Sequence, residues 1–215
     1  ILTPTQIFLS YTMLMSQIIV GLVGPIASGK GVLADHLKDL GFKVFSLSDK
    51  VREEASIRGL PIKREVLQNV GDDLRLQFGN QILAERTAFD MIGEEGNLVV
   101  DSIRNPGEID YLRNFCKIKI IGVDAPVEKR IIWYLERAKQ RGEDNPDMTS
   151  FIQSSLRDRG IGQLAHGQQV DACLQRSDLS FYNSGTKQEL CAEIDFYLKN
   201  EFHFDPEIHR SHKEK

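Results

Sequence analysis

The stretch Ile18-Ile-Val-Gly-Leu-Val-Gly-Pro-Ile-Ala-Ser-Gly-Lys30 decides how the rest of the chain reads. Its first six residues form a short apolar run, as a strand buried on both faces of a parallel sheet should. Gly24-Pro-Ile-Ala-Ser-Gly29-Lys30 then satisfies G-x-x-x-x-G-K. From Gly29 onward Val32, Leu33 and Leu37 recur at helical spacing until Gly41, which is placed as a C-cap glycine. A glycine-rich turn between strand and helix can aim successive backbone N–H groups at phosphate oxygens, backed by the positive end of the helix. Lys30 supplies a point charge for the β and γ phosphates. Gly24, Pro25, Ile26, Ala27, Ser28, Gly29, Lys30, Gly31 and Val32 are therefore the expected triphosphate-binding residues. Gly31 stands where Ser or Thr usually offers a hydroxyl to Mg2+, so the metal is expected to be held through water and the phosphates. Asp101, read as closing an apolar strand, is the candidate for an outer contact to it or else a helix or turn cap.

Working outward, Lys43–Ser46, Leu98–Val100, Ile118–Val123 and the weaker Leu179–Tyr182 are further strand candidates, separated by helical patterns. That alternation argues for an α/β doubly wound sheet with helices on both faces and right-handed crossovers. Residues 50–92 hold no convincing strand and read as a helical insertion between the second and third strands. Residues 137–160 form a polar, Arg-rich excursion between the fourth and fifth. Residues 1–17 are expected to be a flexible leader, with Met13 or Met15 as natural starts, 18–202 one domain, and 203–215 a polar tail.

The chain has 215 residues, 41% hydrophobic and 27% charged, enough for one sizeable core. A net charge of −4 with Lys and Arg spread along the chain lacks the basic face that duplex nucleic acid requires. Cys116, Cys173 and Cys191 are odd in number and show no C-x-x-C spacing, so buried thiols in a reducing cytoplasm are expected rather than disulfides or zinc. The apolar leader is too interrupted to span a bilayer and lacks a basic flank, which speaks against membrane insertion.

The Gly29-Lys30-Gly31 ending resembles adenylate kinase and other nucleoside monophosphate kinases. Ser48-Asp49-Lys50-Val51-Arg52 is similar to the family segment whose arginine binds the acceptor phosphate. Asp101-Ser102-Ile103-Arg104 looks like its D-G-x-x-R, one residue shorter. Leu67-Gln68 through Arg75 resembles the L-Q-x-x-G-x-x-x-R segment of phage-type deoxynucleoside monophosphate kinases. The resemblance covers residues 18–200 and implies a P-loop NTPase fold with strand order 2-3-1-4-5. It makes 50–92 an acceptor-binding arm and 137–160 a lid whose candidates are Arg137, Arg141, Arg157 and Arg159. A solvated helix with Glu136 and Asp158 as charge partners is the plainer reading of that lid. Asn183 and Gly185 fall where the family contacts adenine, or in an ordinary turn with Thr186 as N-cap. Dephospho-CoA kinase is similar in organisation, and a family of archaeal kinase-like proteins shares the G-K-G ending and Val51-Arg-Glu-Glu-Ala55.

The resemblance implies an ATP- and Mg2+-dependent kinase acting on a (deoxy)nucleoside monophosphate, a monomer or homodimer whose partner is that small nucleotide. Lys30 would hold donor phosphates, Arg52, Arg104, Gln68 and Arg75 the acceptor, and Arg137 and Arg141 the transferring group. Asp49 would organise metal-bound water, or act as base if the acceptor is a ribose hydroxyl as in dephospho-CoA kinase. A regulatory ATP-binding module and a partner-stimulated ATPase are the other classes, and neither needs arginines in both appendages.

Overall fold

The computed structural model describes residues 17–140 and 142–211, so the expected leader and Arg141 fall outside the described residues, save Gln17. β1 (Ile19–Val23) is buried along its whole length, as its unbroken apolar sequence requires. Helix α1 (Lys30–Asp39) and strand β2 (Lys43–Ser46) follow. The arm consists of α2 (Leu47–Ile57), α3 (Arg64–Phe78) and α4 (Ile82–Met91), beginning directly at the end of β2. Then come β3 (Leu98–Ile103), α5 (Pro106–Phe115), β4 (Ile118–Asp124), α6 (Val127–Gln140), α7 (Met148–Arg159) and the short α8 (Val170–Leu174). The chain closes with β5 (Leu179–Tyr182), α9 (Lys187–Phe202) and α10 (Pro206–Ser211).

The five strands are all parallel in the order β2-β3-β1-β4-β5, as expected for a P-loop NTPase fold. Ile19 pairs with Leu98 on one side and Ile118 on the other. Alternate residues serve two cores, since strand side chains point to opposite faces. Ile19, Leu98, Val100 and Ile120 pack with the arm helices, α5 and α8. Val20, Leu22, Val99, Ile121 and Val123 pack with Leu33 and Leu37 of α1 and Leu190, Ile194 and Leu198 of α9. A third cluster, Ile26 with Tyr134, Ala138 and Phe151, ties the phosphate loop to α6 and α7.

Two boundaries differ from the sequence reading. β3 runs on to Ile103, so Asp101 lies inside the strand, paired with Ser46, rather than after it. Ser102 takes a left-handed φ of 65° at a bulge, where the register slips by one residue between the Gly21–Val100 and Val23–Ile103 pairs. The stretch read as a polar tail carries Phe204, buried edge-on against Phe42 at 5.4 Å, because one aromatic ring outweighs its polar neighbours. Among the described residues no helix is long and apolar enough to cross a membrane.

Candidate active site

The loop after β1 has a shape its glycines alone allow. A Cβ at Gly24 would run into the carbonyl oxygen of Val123, and one at Gly29, whose φ is 109°, into Asn183 Nδ2. Ala27 also sits in the left-handed region, at φ 59°. Lys30 opens α1 and is buried; its Nζ donates to the carbonyl oxygens of Gly24 and, at 3.0 Å, Pro25. Burial first, and the Arg104 guanidinium second, pull the Lys30 pKa down to about 8 against the nearby carboxylates of Asp158 and Asp101.

Asn183, expected at the nucleotide, donates its Nδ2 to Ser28 O at 3.0 Å and its N–H to Asp124 O at 2.7 Å, which ties its loop to the phosphate loop. Gly185 precedes Thr186, which caps α9 in a reciprocal box with Glu189. The plainer of the two readings of that turn therefore describes Thr186.

Two polar atoms near the loop lack partners: Ser28 Oγ and Asp101 Oδ1 are buried and accept no hydrogen bond among the described residues, while Asp101 Oδ2 accepts from Ser102. Unsatisfied buried oxygens of this kind suit a hydrated cation. No group of three or more His, Cys, Asp or Glu able to hold a metal exists among the described residues. The residues present fit Mg2+ bound through water, which Ser28 and Asp101 would help to hold.

Asp158 joins loop and cavity. Its Oδ2 accepts from Ile26 N–H at 2.7 Å and its Oδ1 pairs with Arg104 Nη1, with the side chain fully buried. Ile26 O accepts from Arg130 Nε at 2.9 Å; Arg130 also donates to Ser155 Oγ, and burial lowers its pKa. Sequence reasoning used Asp158 only as a surface charge and missed Arg130, because its place on the buried face of α6 depends on Ile26 lying above it.

Beyond Arg104 the C-terminal ends of the strands and the arm border a narrow cleft whose polar lining is Ser48, Arg52, Arg64, Gln68, Arg75, Ser102, Arg104 and Gln168. All four expected acceptor residues other than Asp49 lie on it. Arg64 and Gln168 were missed; a basic residue opening a predicted arm helix is the one signal that pointed to Arg64. Asp49 does not line the cavity: its side chain is 64% exposed and pairs with Arg52 Nη1 at 3.0 Å. Arg75 is saturated by protein, meeting Glu108 at 2.8 Å and Asp72 at 3.4 Å, and Gln68 donates to Gln168 at 3.0 Å. Glu108 is so placed because it also caps α5, accepting the N–H groups of Arg104 and Asn105.

Of the arginines expected in a lid, the three that are described are paired with carboxylates. Arg137 meets Asp144 at 3.0 Å and lies over the Tyr134 ring. Arg157 reaches Asp72 and Asn69 at 2.6 Å, tying α7 to α3, and Arg159 reaches Asp124 and Asp171. None of the three lines the cavity.

A family profile described as an AAA domain matches residues 23–151. Curated relatives include the UPF0200 protein of Methanothrix thermoacetophila, 31% identical over 150 residues, covering 69% of this chain and 80% of that protein. The UPF0200 protein of Pyrococcus abyssi is 27% identical over 87% of this chain and 98% of its own length. Solved structures alike in fold include TT1252 from Thermus thermophilus, with a TM-score of 0.54 at 19% identity, covering 85% of this chain and 96% of that one. Shikimate kinase from Acinetobacter baumannii in complex with shikimate has a TM-score of 0.51 at 16% identity, covering 88% and 98%. With its glycine loop following the central strand of a five-stranded parallel sheet, the chain belongs to the AAA domain family and, with these archaeal relatives, to the UPF0200 family.

Proposed function

We propose that this protein is an ATP-dependent phosphotransferase that moves the γ-phosphoryl group to a small acceptor carrying a phosphate, a (deoxy)nucleoside monophosphate by preference. The observation that carries the reading is the seam at Asp158, where the phosphate loop and an arginine-lined cavity share one carboxylate. The likeness in fold to a shikimate kinase is consistent with a small-molecule kinase.

Loop N–H groups and Lys30 would hold the β and γ phosphates, with the Lys30 ammonium turning from the loop carbonyls to the phosphate oxygens. Bound Mg2+ would neutralise part of the triphosphate charge. An oxygen of the acceptor phosphate attacks the γ phosphorus, the bond to the β–γ bridging oxygen breaks, and ADP leaves. Such an oxygen is ionised at neutral pH and needs no base, which agrees with Asp49 lying off the cavity. Arg104 sits between loop and cavity and would stabilise charge shared by donor and acceptor; Arg137, with Arg141, would close over it. Cys116 and Cys173 are buried free thiols whose pKa burial raises, in keeping with a cytoplasmic protein.

An ADP-release assay over nucleoside monophosphates and dephospho-CoA tests the reading. Turnover with a monophosphate is expected, and Lys30→Ala should lower it on the order of 10²-fold or more with the fold intact. Unchanged turnover in that variant would sink the proposal.

A further inference from the structure

The cationic wall of the cavity holds an anion supplied by the chain itself. Between α6 and α7 the chain folds back so that the Glu143 carboxylate faces Arg52: Nε to Oε1 is 2.9 Å and Nη2 to Oε2 is 3.1 Å. Two parallel N–H groups thus meet two oxygens of one anion, the fork by which arginine grips carboxylates and phosphates alike. Arg64 Nη2 lies 3.7 Å from the same Oε2. The hydrogen bonds from Arg52 hold the Glu143 carboxyl below its ordinary value despite partial burial.

Asp144, next in sequence, does a different job. Its side chain is fully buried and meets Arg64 at 2.8 Å and Arg137 at 3.0 Å. Arg64 N–H donates to Glu143 O, and Lys63 Nζ to Gly142 O, each at 2.8 Å. The turn is therefore clipped to α3 by Asp144 and by main chain, and the Glu143 side chain can leave without undoing the clip. Glu143 is also the more solvent-exposed of the two carboxylates, at 19% against none.

We propose that Arg52 and Arg64 form the subsite for a phosphate monoester, and that Glu143 is its internal occupant, which the incoming phosphate must displace. That this monoester belongs to the acceptor rests on the phosphotransferase reading; the phosphate chemistry of the subsite does not. A monoester dianion brings more charge and a third oxygen, so it can use the Arg52 fork and Arg64 together where the carboxylate reaches Arg64 only at 3.7 Å. While Glu143 is docked, apparent affinity falls by the fraction of molecules in which it is released. Glu143 thereby sets the threshold at which the site responds to its ligand.

The test uses the full chain with a non-hydrolysable ATP analogue filling the loop and methyl phosphate as the probe, followed by calorimetry at constant ionic strength. Methyl phosphate lacks a base and a sugar, so its binding reports on the subsite whether or not any acceptor is turned over. Glu143→Gln removes the competing charge and should tighten methyl phosphate about tenfold if the side chain is docked nine-tenths of the time. Arg64→Ala should weaken it, and affinity for the ATP analogue should not change in either. Glu143→Asp, which draws the carboxylate back by one methylene, should tighten binding less and serves if the glutamine variant melts early. Equal or weaker binding of methyl phosphate by the Glu143 variants overturns the subsite. Tightening without turnover of any monophosphate keeps the subsite and overturns the phosphotransferase reading.

Discussion

At the scale of single residues, Lys30 carries the clearest electrostatic signature. It is buried against the loop carbonyls, and desolvation with the Arg104 charge brings its pKa to about 8 from 10.5. Because the folded pKa is the lower one, the unfolded chain binds more protons between these values. The nucleotide-free protein should therefore gain stability as pH rises from about 8 toward 10.5. A triphosphate reverses the preference, since its negative charge favours the ammonium. ATP binding at pH 8 should take up roughly half a proton, the fraction missing at a pKa equal to the pH. Calorimetry in buffers of different ionisation enthalpy reads that uptake directly, and it should vanish in Lys30→Ala. Binding without proton uptake in the wild-type chain would show that Lys30 is charged and solvated before the ligand arrives.

At the scale of elements, α6 and α7 are held to the rest by the Ile26, Tyr134 and Phe151 cluster, by Asp158 and the acidic turn, and by polar contacts from Arg130, Arg157 and Arg159. Tyr134 and Phe151 meet edge to face at 5.3 Å. Burial opposes the charge on Asp144, but Arg64 and Arg137 outweigh it, and the hydrogen bonds from Arg52 act likewise on Glu143, so both carboxyls sit below ordinary values of 3.8 and 4.5. The sign follows: their stabilisation is fully present above those values and is lost as pH falls through the lower folded ones. Amide hydrogen exchange from neutral to acid pH should find α7 losing protection before the sheet, through local opening of this unit. Phe151→Ala should cost about 3–5 kcal/mol and make α7 exchange rapidly even at neutral pH. Simultaneous loss of protection in α7 and β1 would show that lid and core unfold as one.

At the scale of the whole molecule, the site exists only where the arm, the sheet edge and the lid meet. Arg52 comes from the arm and Arg104 from the end of β3, both lining the cavity, while Glu143, from the turn between α6 and α7, reaches Arg52. If the acceptor is a monophosphate, Arg52→Ala should lose about 2–4 kcal/mol of transition-state stabilisation, and Asp49→Asn should lose less because Asp49 is exposed and off the cavity. Measured kcat/KM for both variants on the best acceptor decides it. A larger loss in Asp49→Asn, with the acidic limb of the pH profile gone, would favour a hydroxyl acceptor such as that of dephospho-CoA. The fold and the phosphate loop were legible along the chain because both are local: short unbroken apolar runs, a 3.6-residue repeat after Gly29, and a seven-residue loop whose backbone shape is encoded by its own glycines. Arg52, Gln68, Arg75 and Arg104 were brought to one site by the resemblance of their segments to those of nucleoside monophosphate kinases, and all four line the cavity. What each of those side chains binds could not be read, because it depends on groups far away in sequence. Asp158 reaches Ile26 across 132 positions and Glu143 reaches Arg52 across 91, and neither span has a periodicity that records it. Local spacing determined the phosphate loop and the order of elements around it; only tertiary packing decided that Arg75 is held by Glu108, that Asn183 bonds to the loop, and that Arg52 already holds the Glu143 carboxylate.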